Sequence, residues 1–324
     1  MTTTCFRRLA VMIGLAAVLL ASACSSSSST TPKAQSGPEK THLVVAVLPA
    51  VNTAPLYLAI KEGYFRQAGL TVTPKLLGAS TEAIPGLLHG TIDITTGNLD
   101  SYLEAADKGV LSLRILAESA TCSAGALEVL AMPRAHITTP AQLAGKTIGV
   151  TQASNIQTLT INKILASDQV SPATVHYVVM QFPVMNAALA AGRVDAVSEL
   201  EPFITAAKRT IGATVALDEC TGPTAGIPLG GYFTSQGWVS KYPNTAHAFQ
   251  RAMAKAQALA GNNPQAVRQI LPTFMKITPQ VASLITLPQF ATGLSAAGIQ
   301  QVADLAQADG LMPTSLDVTP LLVH

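Results

Sequence analysis

Charged side chains are scarce in this sequence of 324 residues. Asp, Glu, Lys and Arg together supply 12% of the residues, the formal net charge at pH 7 is +2, and Lys and Arg occur at most as isolated pairs. Proteins that bind DNA or RNA present a basic patch to the phosphate backbone. The composition therefore predicts no nucleic-acid partner, while the length allows one large or two smaller units with buried cores.

Sequence patterns of catalytic and metal centres are also missing. The six histidines are not at a metal-ligand spacing such as H-x-x-x-H, and no G-x-S-x-G elbow, P-loop or dinucleotide fingerprint occurs. We interpret His89 and His176 as surface or hydrogen-bonded residues. The sequence thus predicts no catalytic residue, no metal and no cofactor, and it favours a binding protein over an enzyme.

The apolar segment near the N-terminus is too short for a comfortable membrane span. Residues 9–20 follow two arginines, a pattern typical of a secretory signal. Small residues then lead into a cysteine, and the run Leu20-Ala21-Ser22-Ala23-Cys24 resembles the lipobox of bacterial lipoproteins, whose cysteine is acylated and becomes the new N-terminus. We predict a signal peptide over residues 1–23 and a lipidated Cys24. An ordinary cleavage site with an incidental cysteine is the alternative.

A polar spacer follows Cys24. Residues 25–29 are all serine and are followed by two threonines and a proline, a composition that buries nothing and favours a flexible tether. We predict this tether over residues 24–41, with the folded part beginning near Thr41. A lipid on Cys24 would anchor the protein in the cell envelope, at the outer face of the cell membrane.

Cysteine is rare in the sequence, with four residues in all. Cys5 lies in the predicted signal and Cys24 would carry lipid, so export places only Cys122 and Cys220 in an oxidising compartment. These two cysteines can form one disulfide or remain two separate buried thiols.

The folded region opens with a strand, a polar loop and a helix. Residues 43–48 are an apolar run typical of a buried strand, Pro49 ends the run, and Asn52 and Thr53 precede a helix with Pro55 in its first turn. Backbone N–H groups at a helix N-terminus point outward, at the positive end of the helix dipole. This stretch therefore predicts a place where a small polar solute is held.

A second stretch repeats this design. Residues 146–150 predict a strand, residues 151–155 form a polar loop that ends in asparagine, and a helix follows. Strands and helices alternate through most of the chain, which indicates α/β sheets of parallel strands. We predict two lobes, one formed by residues 42–120 with about 226–324 and the other by about 121–225.

The chain is expected to cross between these lobes twice. The alternation of strands and helices pauses at residues 118–125 and again at the turn-rich residues 218–230. Each pause contains one of the two remaining cysteines, so Cys122 and Cys220 are expected to meet at the hinge. We predict a disulfide between them, with separate thiols as the alternative.

Short motifs follow one another through the folded region. They are PLYLAIKEGYF (55–65), AGL (68–70), LHGTID (88–93), LAGKTIGV (143–150), ALAAGRVDA (188–196) and EP (201–202). In this order they resemble the solute-binding proteins of ABC importers, in the nitrate, sulfonate and taurine type that also includes thiamine-precursor binders. The resemblance covers nearly all of the region from residue 42 to about 310.

The resemblance implies a two-lobed α/β fold of the periplasmic-binding-protein type (type II). Each lobe would be a mainly parallel sheet flanked by helices, with a hinge of two crossovers. The protein would close on a small-molecule solute and present it to the permease subunits of an ABC importer, and we expect it to be a monomer. A sensory or scaffold lipoprotein with the same clamp is an alternative. An enzyme like those that make the thiamine pyrimidine is disfavoured, because it would be expected inside the cell.

Ligand contacts in this family come from loops at the strand ends that face the cleft. The matching loops are residues 50–53, 78–81, 97–100, 151–155 and 199–202, and the strand and helix pattern selects four of them independently. The candidate ligand residues are Asn52, Thr53, Tyr57, Gly78, Ser80, Thr81, Asn98, Asp100, Gln152, Ser154, Asn155, Glu199 and Glu201. The Asn, Ser and Thr residues could instead only cap helices, the tyrosine could belong to the core, and the carboxylates could be solvated or bridge the lobes.

None of these five loops contains Arg or Lys. A sulfonate or nitrate site normally recruits a cation in addition to helix N-termini, so the absence leaves room for a neutral or cationic heterocycle or another polar organic solute. Arg114, Lys146 and Arg193 could still reach the cleft. An aliphatic sulfonate, a nitrate-like anion, a pyrimidine and an aromatic acid all stay open from the sequence.

Overall fold

The computed structural model describes residues 37–324, in which the strands form two sheets. The predicted signal peptide, Cys24 and most of the predicted tether lie outside the described residues. In chain order the strands are β1 (His42–Val47), β2 (Thr71–Leu76), β3 (Ile94–Asn98), β4 (Leu113–Thr121), β5 (Leu127–Ala131), β6 (Thr147–Val150), β7 (His176–Val179), β8 (Ala196–Leu200), β9 (Thr214–Asp218), β10 (Pro228–Ser235) and β11 (Gln289–Phe290).

Helices flank both sheets. In this part of the chain the α-helices are α1 (Ala54–Lys61), α2 (Tyr64–Gln67), α3 (Ile84–His89), α4 (Leu99–Asp107), α5 (Ile156–Ser167), α6 (Phe182–Ala190), α7 (Phe203–Thr210), α8 (Gln236–Lys241), α9 (Pro243–Asn262), α10 (Pro264–Ile270), α11 (Pro279–Leu284) and α12 (Ala296–Ala308). Short 3-10 helices include Val51–Thr53 and Ser80–Ala83. Between residues 37 and 324, no helix combines the length and the hydrophobicity that a membrane crossing requires.

The two sheets have the strand orders β11-β4-β10-β3-β1-β2 and β7-β6-β8-β5-β9. In the first sheet β1 is parallel to β2 and β3, and β10 is antiparallel to β3 and β4. In the second sheet β6 is parallel to β7 and β8, and β5 is antiparallel to β8 and β9. The predicted α/β fold is confirmed with one correction, since both sheets are mixed and not mainly parallel. The reason is that β5 and β10 each arrive from the other sheet and therefore run against their neighbours.

The two crossings between the sheets carry the two cysteines. Cys122 directly follows β4, and Cys220 follows β9 after one intervening residue. Their Sγ atoms are bonded at 2.09 Å, with the Cα atoms 4.8 Å apart, which confirms the predicted pairing. Both cysteines are 2% exposed, so the bond is part of the core between the crossings. The division of the chain into lobes at these crossings stays a prediction.

Strand β10 illustrates how the first sheet is buried on both faces. Successive side chains of a strand point to opposite faces. Tyr232 packs edge-on against Phe249 of α9, with ring centroids 5.7 Å apart, whereas Phe233 stacks on Tyr102 of α4 at 4.3 Å. The second sheet is likewise covered by α5 on one face and by α6 and α7 on the other.

The first described residues are tied to the first sheet. Glu39 accepts hydrogen bonds from the backbone N–H groups of Asn244 and Thr245, at 3.1 and 2.9 Å, and so caps the N-terminus of α9. Lys40 forms an ion pair with the buried carboxylate of Asp93. Residues 39 and 40, which the sequence prediction placed in the tether, thus belong to the folded unit.

Candidate functional site

A cavity of about 270 Å³ lies between the two sheets. Its walls come mainly from the residues at or just after the ends of β1, β2 and β3 in the first sheet and of β6, β7 and β8 in the second. The carboxyl ends of parallel strands are the usual position of a ligand site in an α/β fold. The lining residues are Leu48, Pro49, Ala50, Asn52, Thr53, Leu77, Gly78, Ala79, Ser80, Thr96, Gly97, Asn98, Leu127, Thr151, Gln152, Asn155, Ile156, Gln157, Gln181, Phe182, Pro183, Leu200 and Phe203.

A smaller cavity of about 50 Å³ shares part of this wall. Asn52 and Asn98 line both cavities, whereas Glu201 lines only the smaller one. The Glu201 carboxylate already accepts hydrogen bonds from the backbone N–H and hydroxyl of Thr205 and from the backbone N–H of Thr286. Its role in the folded protein is therefore to connect β8, α7 and the loop before β11.

The structure brings together seven of the thirteen candidate ligand residues on the larger cavity. These seven are Asn52, Thr53, Gly78, Ser80, Asn98, Gln152 and Asn155. Five others line neither cavity, namely Tyr57, Thr81, Asp100, Ser154 and Glu199. The seven belong to four separate loops, which shows that the loops converge as the strand pattern requires.

Three of the five outlying residues lie in other parts of the fold. Tyr57 stacks face to face on Phe274, with ring centroids 3.9 Å apart and an interplanar angle of 3°, so its ring belongs to an apolar cluster behind α1. Thr81 is half-buried within the short helix Ser80–Ala83, and Ser154 is exposed. The interpretation of the tyrosine as a core residue therefore fits its position better than a ligand contact.

The other two outlying residues are carboxylic acids buried behind the cavity wall. Asp100 and Glu199 are both 0% exposed, and neither Asp100 Oδ1 nor either oxygen of Glu199 has a partner within residues 37–324. Burial raises the pKa of Asp100 to about 7. Burial and the neighbouring Glu201 raise the pKa of Glu199 to about 8. Both groups are thus held without a compensating cation.

Asn155 lies at the cavity but is fully occupied by contacts within the protein. Its Oδ1 accepts hydrogen bonds from the backbone N–H groups of Gln157 and Thr158, at 3.1 and 3.4 Å, at the start of α5. Its Nδ2 donates to Thr151 Oγ1 at 2.8 Å and to Gln157 Oε1 at 3.0 Å. The residue is 0% exposed, so it acts as a helix cap and as a brace for the loop.

Asn52, in contrast, makes few hydrogen bonds within the protein. Its Nδ2 donates one long hydrogen bond, of 3.4 Å, to Ser119 Oγ, and its buried Oδ1 has no partner in the described part of the chain. The neighbouring Thr53 uses its hydroxyl locally, donating to the carbonyls of Ala50 and Leu48 at 2.7 and 3.1 Å. Asn52 therefore retains hydrogen-bonding capacity at the cavity, while Thr53 shapes the turn.

A glycine allows two further loops to approach each other. Ser80 Oγ accepts a hydrogen bond from the backbone N–H of Asn98 at 2.9 Å, and its carbonyl accepts one from the hydroxyl of Tyr102 at 2.7 Å. A Cβ atom at Gly97 would lie 2.4 Å from both Ser80 Oγ and the Tyr102 ring. Only glycine fits there, and the close contact leaves the Asn98 carboxamide at the cavity surface.

Sequence reasoning missed the loop after β7. Gln181, Phe182 and Pro183 line the cavity from there, and Phe203 joins them from the start of α7. The rings of Phe182 and Phe203 stack with centroids 5.3 Å apart and form an apolar wall. The rule that ligand loops follow parallel strands would have found this loop, but its aromatic residue looks like an ordinary core position of a helix.

No charged side chain of residues 37–324 lines the larger cavity. Arg114, Lys146 and Arg193, which the sequence left as cations able to reach the cleft, line neither cavity. A polar contact across the cleft is made by neutral groups, since Ser101 of α4 donates to Gln152 Oε1 at 3.3 Å. In the described chain no cluster of His, Cys, Asp and Glu is suited to a metal ion.

Comparison with known proteins places this geometry in context. The family model described as NMT1/THI5 like matches residues 50–267. The search of curated proteins finds no match. Many solved structures match this chain, and those described below do so at low sequence identity.

Three similar structures are binding proteins. The alkanesulfonate-binding protein SsuA from Xanthomonas axonopodis pv. citri, bound to MOPS, is 21% identical, with coverage of 88% of this chain and 98% of that one and a TM-score of 0.73. The periplasmic aliphatic sulphonate binding protein SsuA from Escherichia coli is 18% identical, with the same coverages and TM-score. The periplasmic nitrate-binding protein NrtA from Synechocystis PCC 6803 is 15% identical, with coverages of 88% and 86% and a TM-score of 0.74. At these identities the likeness establishes the periplasmic-binding-protein fold.

Proposed function

The chain belongs to the NMT1/THI5-like family, and from this premise we propose that it is an extracytoplasmic solute-binding protein of an ABC importer. It captures a small organic solute in the cavity between the sheets and delivers it to a permease. One observation carries the proposal: the cavity of about 270 Å³ is lined by strand ends of both sheets. The solute-binding proteins with the same fold, for alkanesulfonates and nitrate, support it.

Capture is proposed to proceed by closure of two lobes about the crossings at Cys122 and Cys220. Residues 42–120 with about 226–324 form one lobe in this proposal, and about 121–225 form the other. A solute that contacts both walls has more interactions in the closed form than in the open form, so binding shifts the population toward closure. The disulfide joins the two crossings and limits the change to a hinge motion.

A thermal-shift screen tests this function. Purified protein is screened against aliphatic sulfonates, nitrate, pyrimidines, aromatic acids and the amides of those acids. A true ligand at about 100 times its dissociation constant stabilises the folded state by about 2.7 kcal/mol, a clear upward shift of the melting temperature. A flat response across all classes, repeated by calorimetry, would count against a solute-binding role.

The anchor and the partners complete the proposal. The lipobox-like sequence before Cys24 supports a lipid anchor on the outer face of the cell membrane, with the protein acting there as a monomer beside the permease subunits. Cys24→Ala should move the protein from the membrane fraction to the soluble fraction of the producing cells. An unchanged membrane association would remove the lipid anchor from the proposal and leave solute capture untouched.

A further inference from the structure

The cavity carries information about the chemical class of its solute. Resting on the proposed function, we propose that the solute is an uncharged, ring-containing molecule that donates and accepts hydrogen bonds, and not a free anion such as a sulfonate or nitrate. Four features of the larger cavity carry this inference: its lack of charge, its occupied helix ends, its unpartnered carboxamides, and its size and aromatic wall.

The charge of the surroundings disfavours an anion. Every residue that lines the larger cavity is neutral. The ionisable residues that directly adjoin lining residues along the chain are acids, because Glu128 follows Leu127 and Leu200 lies between Glu199 and Glu201. Of the two basic residues of α7, Lys208 is engaged in an ion pair with Glu128, and Arg209 is exposed and lines neither cavity. An anion would lose its hydration here without gaining a cationic partner, which is unfavourable.

The helix N-termini at the cavity give an anion little compensation. At α5 the N–H groups of Gln157 and Thr158 are already paired with Asn155 Oδ1. At α4 the first turn contains the buried acid Asp100, so an anion bound there would lie beside a carboxyl group. These are the positions at which an anion-binding helix end must offer free donors.

Two further helix ends at the cavity each contain a proline. Pro55 lies in the first turn of α1, and Pro183 lies in the first turn of α6. Proline has no backbone N–H, so each of these ends offers one donor fewer to an anion. At α7, which begins at the lining residue Phe203, the N–H group of Thr205 already donates to Glu201 at 3.0 Å. These helix ends together therefore offer few free N–H groups to hold a sulfonate or nitrate without a basic side chain.

Carboxamide groups supply the hydrogen-bonding capacity that is left. The side chains of Asn98 and Gln181 line the cavity without a hydrogen bond to any other residue between 37 and 324. Asn52 Oδ1 is a buried acceptor without a partner, which is costly unless a ligand donates to it. Sulfonate and nitrate offer only acceptors, whereas an amide, a lactam or an amino-substituted heterocycle offers donors and acceptors together.

Size and shape favour a ring. A cavity of about 150 Å³ is enough to bind benzene. The larger cavity here is about 270 Å³, so it has room for a ring with polar substituents, and a nitrate ion would fill little of it. Phe182 and Phe203 present an apolar wall, and the opposite side includes Leu48 and Leu77. Flat rings pack well against such surfaces.

Matched pairs of small molecules test the inference directly. Nicotinamide is compared with nicotinate, and benzenesulfonamide with benzenesulfonate, by calorimetry at pH 7 and at two salt concentrations. Within each pair the ring is the same, and only the charge and the donor differ. We expect the uncharged member to bind at least tenfold more tightly, with little dependence on salt. Equal or tighter binding of the anionic members would overturn the inference.

A charge-introducing variant sharpens the test. Gln181→Arg places a cation on the cavity wall, and we expect it to raise the affinity for benzenesulfonate at least tenfold while leaving benzenesulfonamide without such a gain. Gln307→Arg, at an exposed position of α12, is the matched control and should change neither affinity. If Gln181→Arg gives no gain for the sulfonate, the missing cation is not what disfavours an anion in this cavity, and the result counts against the inference.

The outcomes separate this inference from the proposed function. Saturable binding of nitrate, taurine or an alkanesulfonate to the wild-type protein, tighter than that of any uncharged solute in the screen, would overturn the solute class and leave the binding function standing. Binding confined to uncharged ring compounds would support both. If the full screen yields no ligand of any class, the binding function fails and the solute class fails with it.

Discussion

The first sheet supplies one wall of the cavity and the second sheet supplies the other. Each wall contains a loop with the same layout, but the asparagines of the two loops differ in their hydrogen bonds. The loop after β1 contains Asn52, and the loop after β6 contains Asn155. Asn155 makes four hydrogen bonds within its own wall, whereas Asn52 makes one long bond to Ser119 and leaves its Oδ1 without a partner. The difference shows that the protein itself satisfies the asparagine of one wall, whereas the asparagine of the other wall keeps an unpartnered acceptor.

The acids behind the two walls are more alike than the asparagines in front of them. Asp100 is buried behind the first wall and Glu199 behind the second, and burial raises the pKa of both. They differ in hydrogen bonding, because the Asp100 carboxyl group accepts a hydrogen bond from the Ser101 hydroxyl at 3.4 Å, while the Glu199 carboxyl group accepts none from the described residues. The second wall thus combines a fully hydrogen-bonded asparagine at the cavity with a buried carboxyl group that has no hydrogen-bond partner among the described residues.

The largest expected effect concerns the disulfide between the two crossings. Replacing Cys122 and Cys220 together by alanine opens a loop with a sequence separation of 98 residues. In the chain-entropy model such a loop contributes about 4 to 5 kcal/mol to the free energy of unfolding. Denaturant unfolding of the double variant should show a loss of this order, and the reduced wild-type protein should behave like the variant. Equal stability of the oxidised wild type and the variant would contradict the expectation.

The next largest effect is a change in how stability depends on pH. In the folded state the pKa of Glu199 is raised to about 8, well above the value of about 4.3 of an unfolded chain. The folded protein therefore holds a proton that the unfolded chain releases, so its contribution to stability is complete below pH 4.3 and is lost as the pH rises toward 8. Glu199→Gln should remove this slope, which is at most about 1.4 kcal/mol per pH unit.

Two further variants allow the pH dependence due to Glu199 to be compared with that due to Asp100 and with a control. Asp100→Asn should also flatten the dependence of the unfolding free energy on pH, but only up to about pH 7, the value to which burial raises the pKa of Asp100. Glu62→Gln, at an exposed position after α1, is the control and should leave the slope as in the wild type. A slope that persists unchanged in Glu199→Gln would mean that this carboxyl is ionised in the folded protein.

Sequence patterns predicted the positions of the loops better than the roles of the residues within them. Apolar runs followed by polar residues and a helix are local signals, so the loops after β1 and β6 were predictable. Whether an asparagine caps its helix depends on the neighbouring side chains, and Asn52 and Asn155 look the same without coordinates. Tyr57 pairs with Phe274, a residue far along the chain, and no local pattern reveals that contact.

The strand directions in the sheets and the aromatic part of the second wall were equally hard to predict from local sequence patterns. The two strands that cross between the sheets, β5 and β10, look like any other apolar strand, and only the connectivity makes them antiparallel. Phe182 fits an ordinary core pattern, yet it forms part of the cavity wall because α6 begins at the end of β7. Sequence patterns thus predict individual strands and helices well. They predict poorly the surfaces that several of these elements form together.

A smaller effect is expected for the asparagine that its own wall uses fully. Asn155→Ala removes the cap of α5 and the brace to Thr151, and it should lower the free energy of unfolding by about 1 to 2 kcal/mol. Asn155→Asp keeps the acceptor for the helix N–H groups and should lose less. Denaturant unfolding of both variants measures the difference. If both variants are as stable as the wild type, the second wall is not completed by this residue.

The smallest change in stability is expected at the other asparagine, where the effect should appear in binding. Asn52→Ala removes one hydrogen bond of 3.4 Å and a buried acceptor that has no partner, so the free energy of unfolding should change by less than about 0.5 kcal/mol. For the solute identified by the screen, the loss of a hydrogen bond should weaken the affinity about tenfold, or about 1.4 kcal/mol. Calorimetry and unfolding on the same preparation measure both quantities. A variant that loses stability and keeps its affinity would reverse the comparison, because Asn52 would then support its wall in the way that Asn155 does.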